Sequence, residues 1–120
     1  MSEAKTYTGS CHCGDVRYEV TTDLSRVISC NCSMCGRAGT LLSFVPASQF
    51  KLLQGQDSLT DYRFNKHAIS HVFCKRCGIK SFAMGKMPKT GDEMRAINVR
   101  CLEGVDIDSL SVTKVDGKSA

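Results

Sequence analysis

Seven of the eight cysteines in this 120-residue chain fall into three tight clusters. The clusters are Cys11-His12-Cys13, Cys30-Asn31-Cys32-Ser33-Met34-Cys35 and Cys74-Lys75-Arg76-Cys77. Thiolates two or three positions apart can converge on one tetrahedral metal ion, whereas a disulfide between residues so close in sequence closes a small, strained loop. The spacing therefore predicts metal ligation, and zinc is the ion that such thiolates suit best.

The clusters divide unequally, which predicts two zinc sites of different character. A C-x-C pair and a C-x-x-C pair together supply four thiolates, and we call this set the four-cysteine cluster: Cys11, Cys13, Cys74 and Cys77. The C-x-C-x-x-C segment supplies only three, and we call this set the cysteine triplet: Cys30, Cys32 and Cys35. Zinc with four protein ligands is typically structural, whereas zinc with three keeps a position open for chemistry.

The four-cysteine cluster has the sequence context of a structural site. Gly14 follows Cys13 and Gly78 follows Cys77, so each pair lies where a strand gives way to a turn whose backbone amides can donate hydrogen bonds to sulfur. A zinc ion there would clamp the N-terminal hairpin to the later hairpin, in an arrangement similar to a split zinc ribbon. The alternative is reduced cysteines without metal, which the repeated spacing disfavours.

The cysteine triplet needs a fourth ligand from outside its own segment. The protein candidates are His12, His67, His71 and Cys101. A lone histidine is more often a surface or hydrogen-bonded residue, and a lone cysteine is more often a small buried hydrophobic residue. If none of them binds, a water molecule or a substrate atom completes the shell. Zinc with three thiolates carries a net charge of about −1 and suits binding a thiol better than making hydroxide.

Short alternating segments predict a mostly β fold. The segments with alternating or apolar character are residues 15–20, 26–30, 40–45, 59–64, 69–73, 79–83 and 95–100. In the first of them, the alternation places Val16, Tyr18 and Val20 on one face. Glycines between these segments permit tight turns.

Helical signals are weak along the whole chain. The best candidates are short turns at residues 46–50 and 105–110, neither of which is long enough to be stable without packing. The polar tail at residues 114–120 is expected to fray.

Length and composition favour one small domain spanning residues 1–120. The 42% hydrophobic content allows only a modest core, which metal crosslinks would help to stabilise. No segment approaches the roughly 18 consecutive apolar residues of a membrane span, and residues 1–7 lack an apolar run. We therefore expect a cytoplasmic protein, whose reducing surroundings keep cysteines as thiols. The net charge of +4 is spread without a dense basic run, which disfavours nucleic acid as a partner.

Four ordered motifs resemble those of a known family. They are GSCHCGDVRY at residues 9–18, CNCSMCGR at 30–37, FCKRCG at 73–78 and INVRCLEGVD at 97–106. Together they resemble the glutathione-dependent formaldehyde-activating enzyme family, also called the centromere protein V/Gfa domain. The resemblance runs from about residue 8 to residue 110, which we take as the core of the domain.

The resemblance implies both a fold and an activity. The implied fold is an Mss4-like arrangement of packed antiparallel β-sheets with zinc-binding hairpins. Two Zn²⁺ ions per chain are implied, a structural one on the four-cysteine cluster and a catalytic-type one on Cys30, Cys32 and Cys35. The family's activity is that of a carbon–sulfur lyase, in which the thiol of glutathione adds reversibly to formaldehyde and gives S-(hydroxymethyl)glutathione. The implied partners are therefore a small thiol such as glutathione and an aldehyde.

This chain departs from the family pattern beside the triplet. Gly36 stands directly after the triplet, where many relatives carry a basic residue, and Arg37 follows it. Arg37, Lys80 and Arg100 could pair with substrate carboxylates, although each is more typical of a solvated surface charge. Met34 lies between the cysteines of the triplet and could shape the opening of the site.

Other functions stay open on the sequence alone. One is a non-catalytic zinc-binding interaction module, for which a basic or low-complexity arm would be the discriminating feature, and the sequence contains none. Another is a thiol- or redox-responsive zinc protein in which Cys101 resolves an oxidised cysteine of the triplet. For the triplet itself, the alternatives are a second structural site and cysteines without metal. The oligomeric state also stays open.

Overall fold

The structure is a computed structural model that describes residues 4–63, 69–86 and 90–116. Within those ranges lie ten strands and one α-helix: β1 (Lys5–Ser10), β2 (Arg17–Thr22), β3 (Val27–Cys30), α1 (Ser33–Ala38), β4 (Leu42–Pro46), β5 (Phe50–Gln54), β6 (Leu59–Tyr62), β7 (Ser70–Cys74), β8 (Phe82–Lys86), β9 (Glu93–Asn98) and β10 (Val112–Val115). Single 3₁₀ turns occur at Ala47–Gln49, Gln56–Ser58, Val99–Cys101 and Ile107–Ser109. The prediction of a mostly β fold is therefore confirmed. Residue 64, the end of one predicted strand, lies outside the described ranges.

The strands form two sheets. The smaller sheet has the order β1-β2-β5 and is antiparallel throughout. The larger sheet has the order β10-β3-β4-β9-β8-β7-β6, and every neighbouring pair is antiparallel except β10 and β3. The predicted antiparallel sheets are thus confirmed, with one parallel pair that makes the larger sheet mixed.

Three aromatic rings join the two sheets. Tyr18 on β2 and Phe50 on β5 belong to the smaller sheet, and Phe82 on β8 belongs to the larger one. Their ring centroids are 5.2 Å apart for Tyr18 and Phe50, 5.6 Å for Tyr18 and Phe82, and 4.6 Å for Phe50 and Phe82. Aromatic contacts in this distance range stabilise a core beyond the area they bury. The Tyr18 hydroxyl donates to the carbonyl of Ser81 at 3.2 Å, so its polar tip is satisfied inside the core.

Strand alternation produces the core that the sequence predicts. Val16, Tyr18 and Val20 are 0%, 0% and 1% exposed, whereas Arg17 between them is exposed. The other fully or nearly fully buried aliphatic residues come mainly from the larger sheet: Val27, Val45, Val72, Ile97 and Val99. The core therefore lies between the two sheets.

The sequence pattern does not predict helix α1, which lies inside the cysteine triplet. Its residues follow no helical apolar period. Its ends are nevertheless well defined, because the Cys32 sulfur accepts a hydrogen bond from the Cys35 amide at 3.3 Å and Gly39 ends the helix with a φ of 69°. In the described ranges, no helix is long and apolar enough to cross a membrane.

The predicted fraying is wrong for the first residues of the C-terminal tail. Strand β10 pairs in parallel with β3 along its whole length. Beyond this pairing, Asn31 donates its backbone amide to the carbonyl of Val115 at 3.2 Å and its side-chain amide to the carboxylate of Asp116 at 2.9 Å. All residues of β10 are exposed, so backbone hydrogen bonds hold the strand and no apolar pattern reveals it. Residues 117–120 lie outside the described ranges.

The strand predicted at residues 79–83 is displaced, because β8 begins three residues later. The carbonyl of Ile79 accepts a hydrogen bond from the amide of Cys74 at 3.1 Å, which closes the turn after β7. The carbonyl of Lys80 accepts one from the side-chain amide of Asn98 at 3.0 Å. Ile79 and Lys80, at the start of the predicted strand, therefore bind the turn and the Asn98 side chain and do not pair with a neighbouring strand.

A close approach of two backbone segments supports the N-terminal hairpin. Gly55, after β5, has a φ of 95°. A Cβ atom at Gly55 would lie 2.7 Å from the Cα of Val16 and closer still to the carbonyl oxygen of Asp15. Next to it, Gln54 donates its side-chain amide to the carbonyl of Gly14 at 3.0 Å. Only glycine fits this contact, since any side chain would push the two backbones apart.

We expect Gly55→Ala to destabilise the fold far more than Gly104→Ala. Both glycines have a positive φ, 95° and 75°, so both substitutions introduce left-handed strain of about 1–2 kcal/mol. A Cβ atom at Gly104 meets nothing within 4 Å, whereas one at Gly55 also clashes with backbone, for a total cost of about 3 kcal/mol or more. Urea unfolding followed by circular dichroism measures the difference. Equal destabilisation of the two variants would contradict the close approach.

Candidate metal centres

The sulfurs of the four-cysteine cluster converge on one point. Their Sγ atoms all lie within 4.8 Å of one another, and the Cys13 sulfur is 3.6 Å from the sulfurs of Cys11 and of Cys74. In a tetrahedral site with zinc–sulfur bonds of about 2.3 Å, neighbouring sulfurs lie about 3.8 Å apart. The donor set and its spacing therefore fit a zinc ion bound by four thiolates.

Tight turns hold these sulfurs in place. Gly14 and Gly78 have φ angles of 84° and 80°, in the left-handed region that glycine adopts without strain. The amide of Val16 donates to the Cys11 sulfur at 3.3 Å, as the sequence context predicts for this turn. The amide of Gly78 donates to the carbonyl of Cys74 at 2.8 Å and closes the second turn.

The local electrostatics favour the deprotonated form of Cys77 in the four-cysteine cluster. Desolvation alone would raise the pKa of the Cys77 thiol. Hydrogen bonds from the backbone amides of Cys13 and Ile79 and from neighbouring thiols outweigh it and lower this pKa to about 6. A cation that binds here therefore displaces the first proton easily.

The four-cysteine cluster is part of the hydrophobic core. Cys11 and Cys74 are 4% and 1% exposed, and Cys13 and Cys77 pack against the same core. Cys11 and Cys13 follow β1 of the smaller sheet, whereas Cys74 ends β7 of the larger sheet. The cluster consequently joins the two sheets.

The sulfurs of the cysteine triplet also converge, at the start of α1. Cys30 ends β3, Cys32 caps the helix and Cys35 lies within it, and their three Sγ atoms lie within 4.8 Å of one another. Helix geometry explains the contact, because residues three positions apart lie on the same side of a helix. Cys35 is buried, whereas Cys30 and Cys32 are partly exposed. The triplet thus offers three sulfur donors of the kind that zinc prefers, on a more accessible part of the fold.

A buried hydroxyl supports Cys35 from the core side. Burial raises the pKa of the Cys35 thiol to about 11, and the thiol of Cys32 contributes in the same direction. The neighbouring Thr40 hydroxyl lowers this pKa. Thr40 is 4% exposed, and its oxygen has no hydrogen-bond partner in the part of the chain that the structure describes. The hydroxyl is therefore available to stabilise a Cys35 thiolate.

Two of the histidines proposed as a fourth ligand, His12 and His71, do not join the triplet. His12 is exposed on the turn of the four-cysteine cluster, and His71 is buried on β7. Among the described residues, no further thiol, imidazole nitrogen or carboxylate lies within 4.8 Å of all three triplet sulfurs. His67 lies outside those residues. Within the described residues, the donor set of the triplet is therefore three sulfurs.

Cys101, the remaining candidate, interacts electrostatically with the four-cysteine cluster. Burial raises the pKa of its thiol, the neighbouring Ser81 hydroxyl lowers it, and the thiolates of Cys11 and Cys77 raise it. Its sulfur is not among those that converge with the triplet. The observed setting is that of a small, partly buried residue near the four-cysteine cluster.

Lys80 is a site residue that the sequence pattern assigns to the surface. It is partly buried, and burial lowers the pKa of its ammonium, whereas the thiolates of Cys35, Cys32 and Cys101 raise it. The pKa of His71 is lowered by burial and then by the charge of Lys80. The positive charge of Lys80 thus acts on both the triplet and a buried imidazole. No local signal marks it, because only the fold turns this lysine toward the triplet.

A shallow depression lies against α1, the helix that contains Cys35. Its volume is about 260 Å³, and its lining residues are Ser33, Met34, Arg37 and Tyr62. The first three belong to α1, and Tyr62 belongs to β6, the edge strand of the larger sheet. Tyr62 pairs with His71, which pairs with Ala83, so these residues share the sheet face that points away from Phe82 and the core.

The two clusters differ in what they can do chemically. The four-cysteine cluster is a closed set of sulfurs in the core, which suits an ion that stabilises the fold. The triplet combines three sulfurs, an ammonium and an adjoining depression, which suits the binding of a small polar molecule beside an ion.

Comparison with known proteins agrees with the sequence motifs. The family described as "Glutathione-dependent formaldehyde-activating enzyme" matches residues 6–111. The chain is also similar to a Rhodobacter sphaeroides protein known from a crystal structure, with a TM-score of 0.76 and 30% sequence identity. That similarity covers 88% of this chain and 99% of the Rhodobacter chain. The chain therefore belongs to the glutathione-dependent formaldehyde-activating enzyme family.

Proposed function

We propose that the chain is a zinc-dependent carbon–sulfur lyase that catalyses the reversible addition of a small thiol, such as glutathione, to an aldehyde such as formaldehyde. The observation that carries this proposal is the accessible cysteine triplet beside an ammonium and a depression, in a chain of this family. A second, purely structural zinc site would need neither the adjoining depression nor the partly buried cation.

The proposal includes two Zn²⁺ ions per chain. The four-cysteine cluster would hold the structural ion, and Cys30, Cys32 and Cys35 would hold the catalytic one. When bound by three thiolates, zinc supplies a site that binds an incoming thiol and lowers its pKa. Residues 1–120 would act as one domain, because the four-cysteine cluster joins the two sheets and the triplet is attached to the larger of them.

The chain's own residues would act by position and charge. The reaction joins the thiol sulfur to the aldehyde carbon, and the proton lost by the thiol ends on the oxygen, so no oxidant or reductant takes part. Holding the two reactants together beside the triplet favours bond formation. The ammonium of Lys80 would stabilise the negative charge that develops on the aldehyde oxygen, and the Thr40 hydroxyl would stabilise the Cys35 thiolate.

We expect the zinc-loaded protein to accelerate exchange among glutathione, formaldehyde and S-(hydroxymethyl)glutathione at equilibrium. Exchange NMR measures this rate, because it detects catalysis above a fast uncatalysed background. The matched control is Cys32→Ser, whose hydroxyl keeps an N-cap on α1 but removes one zinc-binding thiolate. Acceleration by the parent protein alone supports the lyase. No acceleration by the fully zinc-loaded parent would refute it.

We expect the two clusters to respond differently to loss of a thiol. Cys32→Ser should lower the zinc content from about two ions per chain to about one while the protein still unfolds cooperatively. Cys74→Ser should unfold or aggregate the chain, because Cys74 is 1% exposed and its sulfur contributes to the link between the sheets. Metal analysis and thermal unfolding measure both effects. If both variants stay folded with equal metal loss, the division into structural and catalytic sites is wrong.

We expect Thr40→Val to weaken zinc binding at the triplet by about 10–100-fold, because it removes the hydroxyl beside the Cys35 sulfur at nearly constant volume. Competition with a chromogenic chelator measures this affinity. Thr113→Val on the exposed strand β10 is the matched control and should change nothing. Unchanged affinity in Thr40→Val would show that the hydroxyl does not support the thiolate.

A further inference from the structure

We propose that the depression beside the triplet is a subsite for a carboxylate of the thiol substrate and that the guanidinium of Arg37 binds this carboxylate. The inference rests on the proposed lyase function and narrows its substrates. Thiols that carry a carboxylate several bonds from the sulfur would be favoured over neutral thiols of similar size.

The depression lies against α1, the helix that Cys32 caps and that contains Cys35. Ser33 and Met34, two of its lining residues, stand between Cys32 and Cys35 in the chain. Arg37 lies in the last turn of the same helix. In this proposal, a substrate with its sulfur at the triplet extends its other atoms along α1 toward the depression.

The Arg37 side chain is oriented and keeps its charge available. Its Nη1 atom donates to the carbonyl of Ser33 at 2.9 Å, four positions back, which holds the guanidinium along α1. In the part of the chain that the structure describes, no carboxylate lies within 4 Å of this guanidinium. A guanidinium has a planar fork of N–H donors that matches a carboxylate. The remaining donors of Arg37 can therefore bind an anionic ligand.

The walls and the size of the depression fit one end of a small peptide. Tyr62 is 50% exposed, and Met34 is partly buried. An aromatic ring and a thioether pack well against the methylene and peptide groups of such a ligand. The volume of about 260 Å³ is smaller than the roughly 300–1,000 Å³ of sites that enclose a drug-sized molecule. The carboxylate end of a tripeptide thiol would fill it, with the thiol outside.

The surrounding charges also favour an anion at this place. Lys80 adds a second positive charge near the triplet. Asp61, which precedes Tyr62 on β6, forms an ion pair with Arg63 at 2.8 Å. Because neighbouring residues of a strand point to opposite faces, the Asp61 carboxylate lies away from the face that Tyr62 presents. The guanidinium of Arg63 also offsets its negative charge.

Binding of S-methylglutathione, which lacks a free thiol and cannot react, tests the subsite apart from turnover. We expect Arg37→Gln to weaken the binding of S-methylglutathione to the zinc-loaded protein by at least about tenfold. The affinity of Arg37→Lys should lie between those of the parent and Arg37→Gln. The diethyl ester of S-methylglutathione should bind the parent and Arg37→Gln equally weakly, because the missing carboxylate and the missing guanidinium remove the same interaction. Titrations followed by NMR give these five dissociation constants.

Arg26→Gln is the matched control, because Arg26 is an exposed arginine outside the depression, and its binding constants should equal those of the parent. Equal affinity of the parent and Arg37→Gln for S-methylglutathione would overturn the subsite, as would absence of binding to the parent. Ester binding that still depends on Arg37 would also overturn it. The exchange assay separates the two proposals. If binding depends on Arg37 but the protein does not catalyse exchange, only the lyase is refuted. If the protein catalyses exchange but binding does not depend on Arg37, only the subsite is refuted.

Discussion

Four cysteine sulfurs from two distant hairpins meet at one point, and the rest of the structure depends on that contact. Cys13 and Cys74 are 61 positions apart in the chain, yet their sulfurs are 3.6 Å apart. A chain of 120 residues buries only a modest core, so a contact that closes so long a loop contributes strongly to stability. The rings of Tyr18, Phe50 and Phe82 pack between the same two sheets. Sulfur and aromatic contacts therefore hold one interface together.

The cysteine triplet depends on this interface in a different way. Its sulfurs are brought together locally, by the end of β3 and a helix that Cys32 itself caps. Its surroundings come from distant elements: the ammonium of Lys80, the ring of Tyr62 on β6, and the strand β10 that hydrogen-bonds to Asn31. The sulfur donors thus come from one short segment, whereas the residues around them come from distant parts of the chain. Such an arrangement suits a site in which the short segment binds the ion and the fold selects the ligand.

Much of the arrangement can be predicted from sequence where the cause is local. The spacing of the cysteines separates two donor sets, and alternation places Val16, Tyr18 and Val20 in the core. The same reasoning misses α1, because its ends are defined by a cysteine N-cap and Gly39 and not by an apolar period. It also misses β10, whose exposed residues are held by backbone hydrogen bonds that no side-chain pattern records.

By itself, the sequence determined the two groups of sulfur donors, the mostly β fold and the family, because each follows from residue spacing within short segments or from motifs read in order. Only the tertiary structure decided which residues surround the triplet. Strand register places Tyr62 on the same face as His71, the turn after β7 brings Lys80 into the field of the triplet, and packing makes Arg37 part of a depression. These contacts join residues far apart in the chain, and register and packing, which set them, are properties of the whole fold.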